Sequence, residues 1–188
     1  MTRAPLRVAQ IVCSSGATGV EAFLEVLTPS FDRGAVETTV FVPGPGPLVD
    51  KLTARGVPVE AGAPTRKLDW GVAGALARRW RGAFDLVHAH GPRAAYWATR
   101  AARAVRIPAV ITVHELRWQT HPPSLKRTLQ LELEMRDLDR AVGLTVCSEA
   151  TRRDLLQRRP QLAPRTRVVP ASAPLLLELA VGAGGHES

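Results

Sequence analysis

The chain has 188 residues, 45% apolar and 22% charged, and a formal net charge of +8. That is enough for one domain with a sizeable core, and it excludes a disordered tail. Two cysteines, Cys13 and Cys147, stand far apart at the ends of apolar runs, which excludes a disulfide framework or a cysteine metal site and fits a reducing cytosol.

The first apolar run, Val8 to Cys13, contains Gln10 and is shorter than the ~7–15 residue core of a leader peptide. No run approaches the ~18 apolar residues of a membrane span. A soluble, cytoplasmic chain is expected, with peripheral membrane contact as the one membrane association to weigh. Val8–Cys13 reads as a strand, followed by the loop Cys13-Ser-Ser-Gly16-Ala-Thr-Gly19-Val-Glu21 and a helix over Val20–Leu27, ending before Pro29. Thr38–Val42 reads as the next strand, Pro47–Arg55 as a helix closed by Gly56, and Ala73–Arg81 as a helix closed by Gly82. Asp85–Ala89 is a strand, Pro92–Val105 a helix with proline in its first turn, and Ala109–Val113 a strand. A long helix over Pro123–Asp139, strand Gly143–Cys147, helix Glu149–Arg159 before Pro160, and a short strand at Val168–Val169 complete the series.

Strands apolar on both faces alternating with helices predict an α/β fold: a doubly wound, mostly parallel, Rossmann-like sheet with helices on both faces. Right-handed crossovers put ligand-facing residues at the carboxyl ends of the strands. The segments falling there are 14–21, 43–46, 90–93, 114–118 and 148–151.

Gly16-Ala-Thr-Gly19-Val-Glu-Ala22 overlays a GxxGxxG dinucleotide loop, so an NAD(P)-binding Rossmann protein is one reading. Three features oppose it. The second strand ends in Pro43-Gly44-Pro45 where a ribose-binding carboxylate belongs, and Glu37 stands at its wrong end. The single tyrosine, Tyr96, is followed by Arg100 and not lysine. Glu21 also puts a carboxylate in the helix turn that would hold a pyrophosphate.

A different set fits in order and spacing. Gly16, Gly19 and Glu21, then Asp85-Leu-Val-His88-Ala-His90-Gly91-Pro92-Arg93, then Val110-Ile-Thr-Val-His114-Glu115, then Val146-Cys147-Ser148-Glu149, then Arg167-Val-Val-Pro170 resemble the N-terminal, acceptor-side domain of family 4 GT-B glycosyltransferases. The resemblance covers residues 1–170 and implies one half of a GT-B fold, with a nucleotide sugar as co-substrate and no tightly bound cofactor. It implies that Gly16 and Gly19 approach ligand closely and that His114 contacts the transferred sugar or assists the reaction. His90 and Arg93 would line the acceptor side.

Each residue also has a plainer role. The glycines can serve a tight turn, Glu21 can cap its helix, and Ser148 with Thr151 can cap the next. His114 suits proton relay near neutral pH or a merely satisfied side chain. His88 and His90 share a strand face, but no third ligand follows at recognisable spacing, so no metal is expected.

Of the 25 basic residues 22 are arginine, and nine of the 25 lie in residues 65–106. A solvated basic face explains them, while scarce aromatics and the lack of a reader motif argue against nucleic acid. The Trp70–Arg81 segment could lie on an anionic membrane or simply pack on the sheet.

Past Pro170 the sequence departs from the family turn, and 171–188 reads as a tail, part helical or disordered, with Leu175, Leu176, Leu177 and Leu179 as its apolar residues. Eighteen residues cannot build a second domain. The expectation is an incomplete glycosyltransferase, acting on a sugar or lipid acceptor only with a second domain or partner chain that binds the donor, and standing as half of a split enzyme, a truncated or degenerate product, or an excised fragment. The rival is a non-catalytic binding or regulatory module that kept the fold.

Overall fold

A computed structural model describes residues 4–16, 19–65, 71–114 and 125–169. Trp70, Glu115, Pro170 and the tail lie outside the described residues. Seven strands form one sheet: β1 Leu6–Val12, β2 Val36–Val42, β3 Val59–Ala61, β4 Leu86–His90, β5 Ala109–Val113, β6 Gly143–Val146 and β7 Thr166–Val168, in the order β3-β2-β1-β4-β5-β6-β7. All six pairings among the described residues are parallel, in keeping with the doubly wound sheet expected. The order reverses between β1 and β4, the switch point where ligands of such sheets bind.

The helices are α1 Gly19–Ser30, α2 Pro47–Ala54, α3 Val72–Trp80, α4 Pro92–Val105, α5 Leu125–Arg140 and α6 Glu149–Arg158, with a 3₁₀ turn over Pro160–Arg165. α1 and α2 cover one face, where Val12, Val40 and Val42 meet Leu24, Leu48, Leu52 and Val57. The other face, Ala9, Ile11, Val87, Ala89, Ile111, Val113, Leu144 and Val146, packs in one cluster with side chains of α3, α4, α5 and α6. On α4 five of the seven buried residues are alanines, Ala94, Ala95, Ala98, Ala101 and Ala102, beside Trp97 and Thr99, and these small side chains let the helix approach the sheet closely. All five residues of β4 are buried, as a central strand covered on both sides requires.

Two boundaries differ from the sequence expectation for physical reasons. α1 runs through Pro29 to Ser30. Proline removes the amide that would bond the Glu25 carbonyl, and the Arg55 guanidinium donates to that oxygen instead, at 2.5 Å. β3 is only three residues long and follows Pro58, too short for periodicity to reveal. The stripe of α3 that could have met a membrane is spent on the core: Leu76, Ala77 and Trp80 are buried, and Trp80 stands edge-on to Phe41 at 5.7 Å.

Candidate functional site

Side-chain alternation builds the site on the α1 side of the sheet. Register puts Gln10 of β1 beside His88 of β4, and His90 beside Thr112 of β5. Two residues on from each, at the carboxyl ends, His90 and His114 emerge on the same face. Phe23 of α1 closes on them, 5.9 Å from the His90 ring and 5.1 Å from the His114 ring, the latter edge-on.

These groups form a hydrogen-bonded chain across four strands. His90 Nε2 lies 2.7 Å from Gln10 Oε1, His114 Nε2 lies 3.4 Å from His90 Nδ1, and Cys147 Sγ lies 3.7 Å from His114 Nδ1. Beneath it His88 Nε2 meets Thr112 Oγ1 at 2.7 Å, which meets Thr145 Oγ1 at 2.6 Å. Gln10, His88, His90, Thr112 and Thr145 are all buried. A polar layer so deep survives because its members satisfy one another.

Burial sets the charge state. It pushes the His114 imidazole down to about 4, against a smaller upward pull from the Glu21 carboxylate. His88 falls to about 3, through burial and then repulsion from His114, and His90 falls well below its ordinary value for the same reasons. All three are neutral at pH 7. The Cys147 thiol, raised by burial, stays protonated.

The expected site residues divide into two groups. His90, His114 and Glu21 come together: Glu21 is fully buried in the first turn of α1, where its charge is felt at His114. The other four stand apart from that cluster in the described contacts. The Gly16 amide donates to Ser14 Oγ at 3.3 Å. Gly19 opens α1, with free space where a side chain would be. Arg93 is exposed on the first turn of α4, its Nη1 donating to the Thr65 carbonyl at 3.4 Å. Ser148 caps α6, its Oγ accepting from the Thr151 amide at 3.1 Å.

Sequence reasoning missed Gln10, Thr112 and Thr145 at this site, and placed Gly46 only within the ligand-facing segment 43–46. Gly46 braces the glycine loop: a Cβ there would overlap the Ser15 carbonyl oxygen, which the Leu48 amide reaches at 3.3 Å, while Ser15 Oγ donates to the Pro45 carbonyl at 3.1 Å. Gly91, at φ 81°, makes the left-handed turn that starts α4 beside His90.

Among the described residues no group of three could hold a metal ion, and no helix is long and apolar enough to cross a membrane. One family model, Glycosyltransferase Family 4, matches residues 17–172. The chain belongs to glycosyltransferase family 4.

Among curated proteins none matches the sequence. Solved structures do match in fold. HepE of Anabaena, in complex with UDP and glucose, aligns at a TM-score of 0.72 with 19% identity, over 89% of this chain and 45% of that one. A glycosyltransferase of Rickettsia africae ESF-5 aligns at 0.65 with 16% identity, over 88% and 43%. The lipopolysaccharide outer core galactosyltransferase WaaB, in its apo form, aligns at 0.57 with 16% identity, over 88% and 45%. The family 4 chain therefore spans less than half the length of these structures, and its fold is that of one half of a GT-B enzyme.

Proposed function

We propose that this family 4 domain is the acceptor side of a sugar-transfer site, used together with a donor-binding domain on another chain or segment. The observation that carries the reading is the pairing of His90 with His114 at the ends of β4 and β5, under the Glu21 carboxylate and within the shelter of Phe23. A neutral imidazole in such a place can accept a hydrogen bond from a sugar hydroxyl, and a nearby carboxylate stabilises the imidazolium formed if the proton moves fully.

The co-substrate in this reading is a nucleotide sugar, supported by the family membership and by the UDP and glucose bound to HepE. No tightly held cofactor is required. Gly16 and Gly19 let backbone approach the ligands, Arg93 takes an anionic group of the acceptor, and Ser148 borders the cleft beyond Cys147. The acceptor is a sugar or a glycolipid. With the apolar stripe of α3 facing the sheet, contact of this cytoplasmic, peripheral protein with an anionic membrane would come through its exposed arginines, such as Arg78 and Arg81.

A transfer assay over a panel of nucleotide sugars, with and without a separately produced family 4 donor-binding domain, tests this. Turnover is expected only in the paired reactions, and His114→Ala should lower it by roughly 10²–10⁴-fold, the usual worth of a positioned acid or base. Unchanged turnover in that variant refutes the role of His114. Acceptor binding without transfer under any pairing would favour the non-catalytic module.

A further inference from the structure

The hydrogen-bonded chain that runs through His114 to Cys147 begins at Gln10, in the middle of β1. Gln10 is 1% exposed, with its amide oxygen 2.7 Å from His90 Nε2. An amide oxygen only accepts, so His90 Nε2 must carry a proton. A neutral imidazole has one N–H, which leaves His90 Nδ1 as a bare lone pair facing His114 Nε2 at 3.4 Å. Only a donor completes that contact, so His114 is protonated at Nε2. Its Nδ1 is then the bare nitrogen, met by the Cys147 thiol at 3.7 Å.

We propose that Gln10 is a positioning residue which, acting through His90, fixes His114 as its Nε2–H tautomer and so makes Nδ1, on the Cys147 side, its accepting nitrogen. Burial keeps all three histidines neutral, so no second proton blurs the assignment. The S–H donor is the weakest member of the chain. An incoming hydroxyl exchanges a thiol partner for an O–H donor at Nδ1 without disturbing the two stronger contacts behind it. Turning the Gln10 amide round reverses every bond, making Nδ1 a donor toward sulfur, so the two directions give opposite proton positions on both rings. The consequence for a hydroxyl rests on the site holding a sugar acceptor, whereas the tautomer does not.

The test is a two-bond proton–nitrogen correlation spectrum of the ¹⁵N-labelled full chain at pH 7, which reports which ring nitrogen of each histidine is protonated. His90 and His114 are both expected protonated at Nε2 and bare at Nδ1. His114 protonated at Nδ1 overturns the proposal. Gln10→Met, similar in size but without a comparable acceptor, should turn the single His114 tautomer into a mixture, and an unchanged His114 pattern in that variant overturns the role of Gln10. If Gln10→Met does not fold, the wild-type spectrum still decides the direction of the chain. Inactivity in every paired reaction, together with the expected pattern, sinks the transfer reading and leaves the tautomer standing, and paired turnover with the reverse pattern does the opposite.

Discussion

Three imidazoles buried in one polar layer give the fold a calculable sensitivity to acid. Unfolded, each titrates near 6.5; folded, His114 is pushed down to about 4, His88 to about 3, and His90 well below its ordinary value. Between these limits the unfolded state binds more protons than the folded one, so stability rises with pH across that window and is lost as pH falls through it. From pH 7 to pH 5 each histidine that stays neutral when folded crosses about 1.5 units below its unfolded value. At about 1.4 kcal/mol per unit this costs about 2 kcal/mol each for His88 and His114, about 4 kcal/mol together, and His90 adds in the same direction. Such a loss is a large part of the roughly 5–15 kcal/mol that holds a domain together.

Urea unfolding at the two pH values measures it, with the slope of each transition checked for constancy. His88→Gln should remove about 2 kcal/mol of the pH dependence, since Gln does not titrate. A midpoint that does not move between pH 7 and pH 5 would refute the picture of neutral, desolvated histidines. So would a pH dependence that His88→Gln leaves untouched.

Two substitutions probe the frame around the site. Gly46→Ala forces its Cβ against the Ser15 carbonyl, a backbone atom with little room to yield. It should cost about 1–3 kcal/mol in urea unfolding, with the largest amide shifts at Ser14, Ser15 and Gly16. Asp137, 2% exposed, accepts from Arg100 Nη1 and Arg140 Nη1 at 2.9 Å each. Asp137→Ala strands two guanidinium groups that are themselves partly exposed, so a loss of about 3 kcal/mol is expected, at the lower end for a broken buried pair. Thermal unfolding checks it, and Asp137→Asn should recover part of the loss.

The fold was legible because doubly wound sheets write themselves in the sequence: apolar β-branched runs separated by capped helices. α4 and β5 have the bounds that Pro92, Val105 and the Ala109–Val113 run suggest, and Ser148 caps α6 as its place before Glu149 implies. What local pattern could not show is contact between distant residues. The Arg55 side chain that satisfies the Glu25 carbonyl left open by Pro29 comes from 30 positions beyond Glu25. Glu21 looks like a surface cap from its first-turn position, yet it is wholly buried beside His114, because α1 lies over the ends of β4 and β5.

Gln10 shows most directly what a sequence signal means once topology is known. In isolation it only spoils an apolar run. A polar side chain in a strand covered on both faces, however, must find a partner inside the sheet, and alternation limits that partner to the same face of a neighbouring strand. The neighbours of β1 are β2 and β4. β2 offers Val40 directly beside Gln10 on that face, with Val42 two residues on and Thr38 two residues back, where the Thr38 hydroxyl donates to the Val8 carbonyl, whereas β4 offers His88 and His90. The order β2-β1-β4 therefore converts two separate oddities, a glutamine in an apolar strand and a His-x-His pair, into one hydrogen-bonded unit. The sheet reverses at this pair of strands. Its switch point is thus the place where β1 can reach under the cleft and set the protonation of the residues above it.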